Sequence, residues 1–180
     1  GWTELPWSYE EFVASEAQLP QEAAVFVFEP GSAGGEVRFP DPEYVRFIAS
    51  AVQARGGLVI ANEVTTGAAR TGKNCAYQHS DITPDIVVMG KGIGNGYPIS
   101  AIVVSKDLSK EIANSALRYM QSHQNDPLGA RIADRVLETL QNEKLAERAH
   151  DMGVMLQGLL TPLETSALVR DVRLRGLIMA

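Results

Sequence analysis

Lys91 stands between a short apolar run, Ile86-Val87-Val88-Met89, and a glycine-dense turn that reads GKGIGNGYP from Gly90 to Pro98. A strand that delivers one primary amine into a loop of minimal side chains suits a nucleophilic lysine facing a flat, bulky ligand. A lysine just past a strand is more commonly a solvated loop residue. A second polar tip upstream favours the chemical reading. Gly57-Leu58-Val59-Ile60-Ala61 is another apolar run, and it ends on Asn62-Glu63 and then Val64-Thr65-Thr66-Gly67. Ligands of open α/β sheets bind outside the carboxyl ends of the strands, so the two tips are expected side by side.

The elements that would position these tips follow from the pattern of residues. Ser8 to Ser15 reads as a short helix, with Ser8 as cap and Glu11 completing a capping box. Ala24-Val25-Phe26-Val27-Phe28 is a continuous apolar strand ended by Glu29-Pro30. After a glycine-rich loop from Gly31 to Pro40, Asp41 is expected to cap a helix with Pro42 in its first position, and Gly56-Gly57 to end it. Tyr44, Phe47, Ile48, Ala51 and Val52 recur at helical spacing between them. Strand, helix, strand is a βαβ unit, and the β-branched runs at 57–61 and 86–89 suit a parallel sheet buried on both faces. Ile99 to Val104 is a fourth strand after so short a turn that an antiparallel course is open to it. From Asp107 the chain reads as helical, with two helices between Pro127 and Leu160 that part near Asn142-Glu143. Val169 to Met179 returns to strand alternation. The class is α/β: residues 1–126 read as part of a large domain, and 127–180 as a linking helix and the start of a smaller α+β domain.

Composition narrows the function. The chain has 180 residues, 45% hydrophobic and 21% charged, which is that of a globular protein with a sizeable core. A net charge of -6, without a basic stripe, argues against nucleic acid as partner. The single cysteine, Cys75, leaves no internal disulfide or cysteine metal cluster and fits a reducing, cytoplasmic setting. His79, His123 and His150 lack metal-ligand spacing, so no metal is expected. The apolar runs fall far short of the ~20 residues of a membrane-spanning helix. Both ends read as those of a piece of a longer chain.

Ile60-Ala61-Asn62-Glu63-Val64-Thr65-Thr66-Gly67, Arg70-Thr71-Gly72-Lys73, Pro84-Asp85-Ile86-Val87 and Gly90-Lys91-Gly92, in that order and spacing, resemble the signature of class III aminotransferases. These are pyridoxal-phosphate enzymes of fold type I. The resemblance implies a transaminase that moves an amino group between an amine or amino acid and a 2-oxo acid through an aldimine on Lys91. It also implies pyridoxal 5'-phosphate as cofactor and a homodimer with a shared site. Lys91 is then nucleophile and general base.

Other roles carried by the resemblance are less regular. Asn62 stands where the family usually has an aspartate that pairs with the protonated pyridine nitrogen. Three readings are open: a subgroup with re-tuned transamination, which the intact surrounding motifs favour; a degenerate enzyme; or compensation by a neighbour such as Glu63. Thr65 matches a residue that is often glutamine and contacts the cofactor's phenolic oxygen. Ser122 takes the position of a phosphate-binding threonine that enters the neighbouring subunit's site. Asn125 or Asp126 also suits a simple cap of the helix that starts at Pro127. Glu29 resembles a glutamate of the substrate pocket. Arg70 to Lys73 reads chiefly as a structural loop.

Rival readings differ in class. As a phosphate loop for a nucleotide, Gly90 to Gly96 fails, because Gly92 rather than Ser or Thr follows Lys91. Aminomutase or decarboxylase chemistry on the same cofactor, or an inactive fragment, remain as alternatives to transamination.

Overall fold

The computed structural model describes residues 1–14, 19–32, 34 and 36–180. Ser15, the expected end of the first helix, and Ala33 and Gly35 of the glycine-rich loop lie outside the described residues. Strands β1 (Val25–Phe28), β2 (Leu58–Asn62), β3 (Ile86–Met89) and β4 (Ala101–Val104) form one sheet in the order β1-β2-β3-β4. The first two pairings are parallel and the last is antiparallel. The antiparallel course follows from the tight Lys91–Gly94 turn, which reverses the chain without a crossover helix.

Between β1 and β2 runs helix α2 (Pro42–Gln53); the shorter α1 (Tyr9–Ala14) precedes β1. Asp41 caps α2 by accepting the Glu43 amide at 2.9 Å, with Pro42 at the first helical position. Its end is a left-handed Gly56 at φ 79, which lets the amides of Gly56 and Gly57 reach back to the carbonyls of Gln53 and Val52. Val45 and Ala49 of α2 bury themselves against Phe28, Val59 and Ala61 of the sheet. Tyr44, Ile48 and Val52 meet Leu5, Phe12, Leu19 and Phe26. The edge of β3 is fastened by Asp85, whose carboxylate accepts the Val59 amide at 2.9 Å while its own amide donates to the Val59 carbonyl.

The opening cap differs in one detail from its expected form. The Glu11 amide donates to Ser8 Oγ at 3.1 Å, but the Glu11 carboxylate accepts from Trp7, one residue ahead of the cap. The sheet is covered by α2 on one face. Val25 and Val27 of β1 point to the other face and are about half exposed, whereas the residues of β2 and β3 are buried or partly buried on both faces. Phe47, expected in the core, is 47% exposed and stands edge-on to Tyr9.

Beyond β4 come α3 (Lys106–Asn114), α4 (Pro127–Asn142) and α5 (Leu145–Leu160). The break between α4 and α5 falls at Glu143 and the left-handed Lys144, φ 50. The expected strand over 169–179 is instead a small hairpin of β5 (Leu174–Arg175) and β6 (Ile178–Met179). Gly176, φ 59, turns it, and a methyl there would stand 2.7 Å from the Arg70 carbonyl oxygen and the Gly72 nitrogen. The Leu177 amide donates to that same Arg70 carbonyl at 2.9 Å. Arg70 to Gly72 is thus the seat of the hairpin, in line with its reading as a structural loop.

Candidate active site at the strand tips

The parallel register determines which residues meet. Val27 lies opposite Ile60 and Ile60 opposite Ile86, so the chain positions that follow β1, β2 and β3 leave the sheet at one end. Glu29 directly follows β1, Asn62 is the last residue of β2 and Lys91 lies two residues beyond β3, all at that end. Neither alternation along a strand nor spacing in the sequence would bring them together without this pairing.

Lys91 begins a single 3-10 turn, Lys91–Gly94, with a left-handed backbone at φ 41. This conformation is unfavourable for a residue with a β-carbon and is held here by the strand before it and by the turn's hydrogen bonds, Ile93 amide to Gly90 carbonyl and Asn95 amide to Gly92 carbonyl. Its effect is to swing the side chain back towards β2. Lys91 Nζ donates to Thr65 Oγ1 at 3.0 Å. The two polar tips singled out in the sequence are therefore joined. Lys91 is exposed, and among the described residues no carboxylate pairs with it.

Asn62 is partly buried. Its Oδ1 accepts the Val64 amide at 3.2 Å and its Nδ2 donates to Glu29 Oε1 at 3.0 Å. The orientation of the amide follows from its neighbours, since a backbone N–H can only donate and a carboxylate can only accept. Glu29, expected beside the substrate, is exposed and engaged by Asn62, with no arginine paired to it among the described residues.

Glu63 does something else than compensate for Asn62. It is 1% exposed, and both oxygens are taken: Thr66 Oγ1 donates at 2.6 Å and the Tyr77 amide at 2.7 Å. Its own amide donates to the Val88 carbonyl. Glu63 thus ties the turn after β2 to β3 and to the 3-10 segment Ala76–Ser80, and its charge is spent on structure. Burial, and Glu63 to a smaller degree, push the neighbouring Cys75 thiol up to about 11, so it is a poor nucleophile at neutral pH.

Ser122 lies in an exposed turn just ahead of α4 and makes no hydrogen bond to the strand tips among the described residues. Asp126 supplies the cap of α4, accepting the amides of Leu128 at 3.1 Å and Gly129 at 3.2 Å. It also accepts the Tyr97 hydroxyl at 2.6 Å, a bond that no pattern of residues announces. The Tyr97 hydroxyl holds the Asp126 carboxyl below its usual range, the two backbone amides and His123 assisting. Through Tyr97 the loop that carries Lys91 is fastened to the start of α4.

No group of three or more metal-ligating side chains occurs among the described residues, and no helix of them is long and apolar enough to cross a membrane. The donor set is an accessible amine, a hydroxyl and an amide–carboxylate pair at the end of a mainly parallel sheet. A primary amine without an ion pair among the described residues can condense with a carbonyl group.

The sequence matches the profile of the family described as aminotransferase class-III over residues 6–180. It is 37% identical over 174 residues to mitochondrial ornithine aminotransferase of Rattus norvegicus, covering 96% of this chain and 39% of that protein. It is 35% identical over 164 residues to mitochondrial alanine–glyoxylate aminotransferase 2 of Homo sapiens, covering 89% of this chain and 32% of that one. A Bacillus anthracis aminotransferase structure superimposes with a TM-score of 0.80 at 31% identity, over 87% of this chain and 36% of the other. The chain thus spans about two fifths or less of the relatives it matches. With the family's motifs in order at the tips of a mainly parallel sheet, the chain belongs to the class III aminotransferases.

Proposed function

We propose that this chain carries the lysine site of a pyridoxal-phosphate-dependent transaminase that moves an amino group between an amine or amino acid and a 2-oxo acid. The observation that supports it is the Lys91 amine, exposed at the strand tips and hydrogen-bonded to the neutral Thr65 hydroxyl rather than locked in an ion pair. Pyridoxal phosphate, when bound, supplies an aldehyde that condenses with a primary amine and a ring that draws electrons from it. Lys91 would hold the cofactor covalently through Nζ and, once free, move a proton at the carbon that bears the substrate's nitrogen. Thr65 Oγ1 orients Nζ for both tasks. Asn62, with Glu29 behind it, would face the ring. Ser122, remote in hydrogen-bonding terms from Lys91 of its own chain, would meet the phosphate of a neighbouring copy, which makes the enzyme a homodimer. A reducing, cytoplasmic compartment suits the lone, unreactive cysteine of this chain.

The test is titration of the protein at its full natural length with pyridoxal phosphate, wild type against Lys91→Ala. A visible absorbance band that borohydride fixes to Lys91, together with amino transfer to a 2-oxo acid, is the expected result. A band unchanged in Lys91→Ala would overturn the proposal.

A further inference from the structure

We infer that Glu29, acting through the side-chain amide of Asn62, supplies the negative charge that keeps the cofactor's ring nitrogen protonated. This rests on the function proposed above. A nearby anion favours the protonated form of a pyridine nitrogen, and the electron-withdrawing power of the ring depends on that positive charge. Asn62 itself is neutral. Two carboxylates stand at the tips of the parallel strands, and they are in opposite states. Glu63 is buried with both oxygens committed to Thr66 and Tyr77. Glu29 is exposed, and only its Oε1 is used, accepting from Asn62 Nδ2 at 3.0 Å. Among the described residues its Oε2 has no hydrogen-bond partner.

The Glu29–Asn62 bond has a direction. Nδ2 donates to the carboxylate, so electron density is pushed along the amide towards Oδ1, which already accepts the Val64 amide at 3.2 Å and keeps a second lone pair. An amide oxygen polarised in this way is a better acceptor for a ring N–H⁺ than an isolated asparagine would be. The parallel register supports the pairing: Val27 opposite Ile60 carries Glu29 opposite Asn62 two residues on, so the backbone itself brings the two together. Glu29 is a positioning and charge-supplying residue here and touches the ring only by way of Asn62.

The experiment uses the full-length protein loaded with pyridoxal phosphate labelled with nitrogen-15 in the ring. The nitrogen resonance, which separates protonated from neutral rings, is recorded for wild type, Glu29→Gln, and the exchange Glu29→Gln with Asn62→Asp. Glutamine keeps an acceptor for Asn62 and loses the charge. The expected result is a shift of the Glu29→Gln resonance towards the neutral ring and roughly ten-fold weaker cofactor binding, as for loss of a charge-assisted contact. The exchanged pair places an anion directly at position 62 and should return the resonance towards wild type, so that the nitrogen signal reads charge at this position; a Glu29→Gln resonance unmoved from wild type is what a merely structural role of Glu29 would give. Lys91-dependent uptake with an unmoved resonance in Glu29→Gln would overturn this inference alone. Absence of Lys91-dependent uptake in wild type would overturn the proposed function and the inference with it.

Discussion

Lys91 Nζ donates to Thr65 Oγ1 across 3.0 Å, joining the turn that follows β3 to the turn after β2. The bond holds the amine in place through an uncharged partner, whereas an aspartate or glutamate at 65 would draw it into an ion pair. A hydrogen bond of this kind contributes about 0.5–1.5 kcal/mol net, so its loss is measurable in turnover. Thr65→Val should lower kcat by up to about ten-fold at little cost in stability, while Thr65→Ser should retain most of the rate. Steady-state kinetics on the three proteins checks this, and equal rates in Thr65→Val would remove Thr65 from the site.

The backbone of Lys91 gives a second test, separate from chemistry. At φ 41 it occupies the left-handed region, which costs a residue with a β-carbon about 1–2 kcal/mol relative to glycine. Lys91→Gly and Lys91→Ala both remove the amine, but Lys91→Gly should be the more stable of the two by about 1 kcal/mol, part of the gain being offset by the freedom of glycine when unfolded. Denaturant midpoints of the two variants measure the difference; a more stable Lys91→Ala would count against a left-handed Lys91.

Glu63 should matter for folding more than for charge. Its removal leaves the Thr66 hydroxyl and the Tyr77 amide without partners in a site that is 1% exposed. Glu63→Ala should cost about 2–4 kcal/mol, from two lost hydrogen bonds and a cavity. Glu63→Gln can still accept from the Tyr77 amide and should cost less. Equilibrium unfolding of both variants gives the order, and a harmless Glu63→Ala would mean that Thr66 and Tyr77 find other partners.

The bond from Tyr97 to Asp126 predicts a response to acid. Asp126 has its carboxyl held below the ordinary range, first by the Tyr97 hydroxyl and then by the Leu128 and Gly129 amides and His123. A carboxyl with a lowered pKa in the folded state contributes stability that is full above its unfolded value, about 4, and is lost as pH falls through the folded value. Thermal midpoints of wild type and Asp126→Asn should therefore differ by a constant amount from about pH 7 to about pH 5 and converge below about pH 4. A gap that persists at the acid end would assign it to the shape of the asparagine cap rather than to charge.

Much of this arrangement is legible in the sequence because it depends on local rules. Asp41-Pro42 announces the start of α2, Gly56-Gly57 its end, and the apolar runs at 25–28, 58–61 and 86–89 are too short and too β-branched for helices. The lysine at the mouth of a glycine-dense turn and the Asn62 to Gly67 cluster stand out by residue type alone. Tertiary structure decided where the side chains point. Asn62 and Glu63 are neighbours in sequence with similar polarity, yet the pleat turns Glu63 into the protein, to Thr66 and Tyr77, and leaves Asn62 to meet Glu29 across the sheet. Sequence spacing cannot show that pairing, because the register of two parallel strands 33 residues apart is fixed by the packing of α2 between them. The same holds at the far end, where 169–179 has strand-like alternation but pairs with itself, since Gly176 can turn against the Arg70 to Gly72 backbone and a side chain there could not.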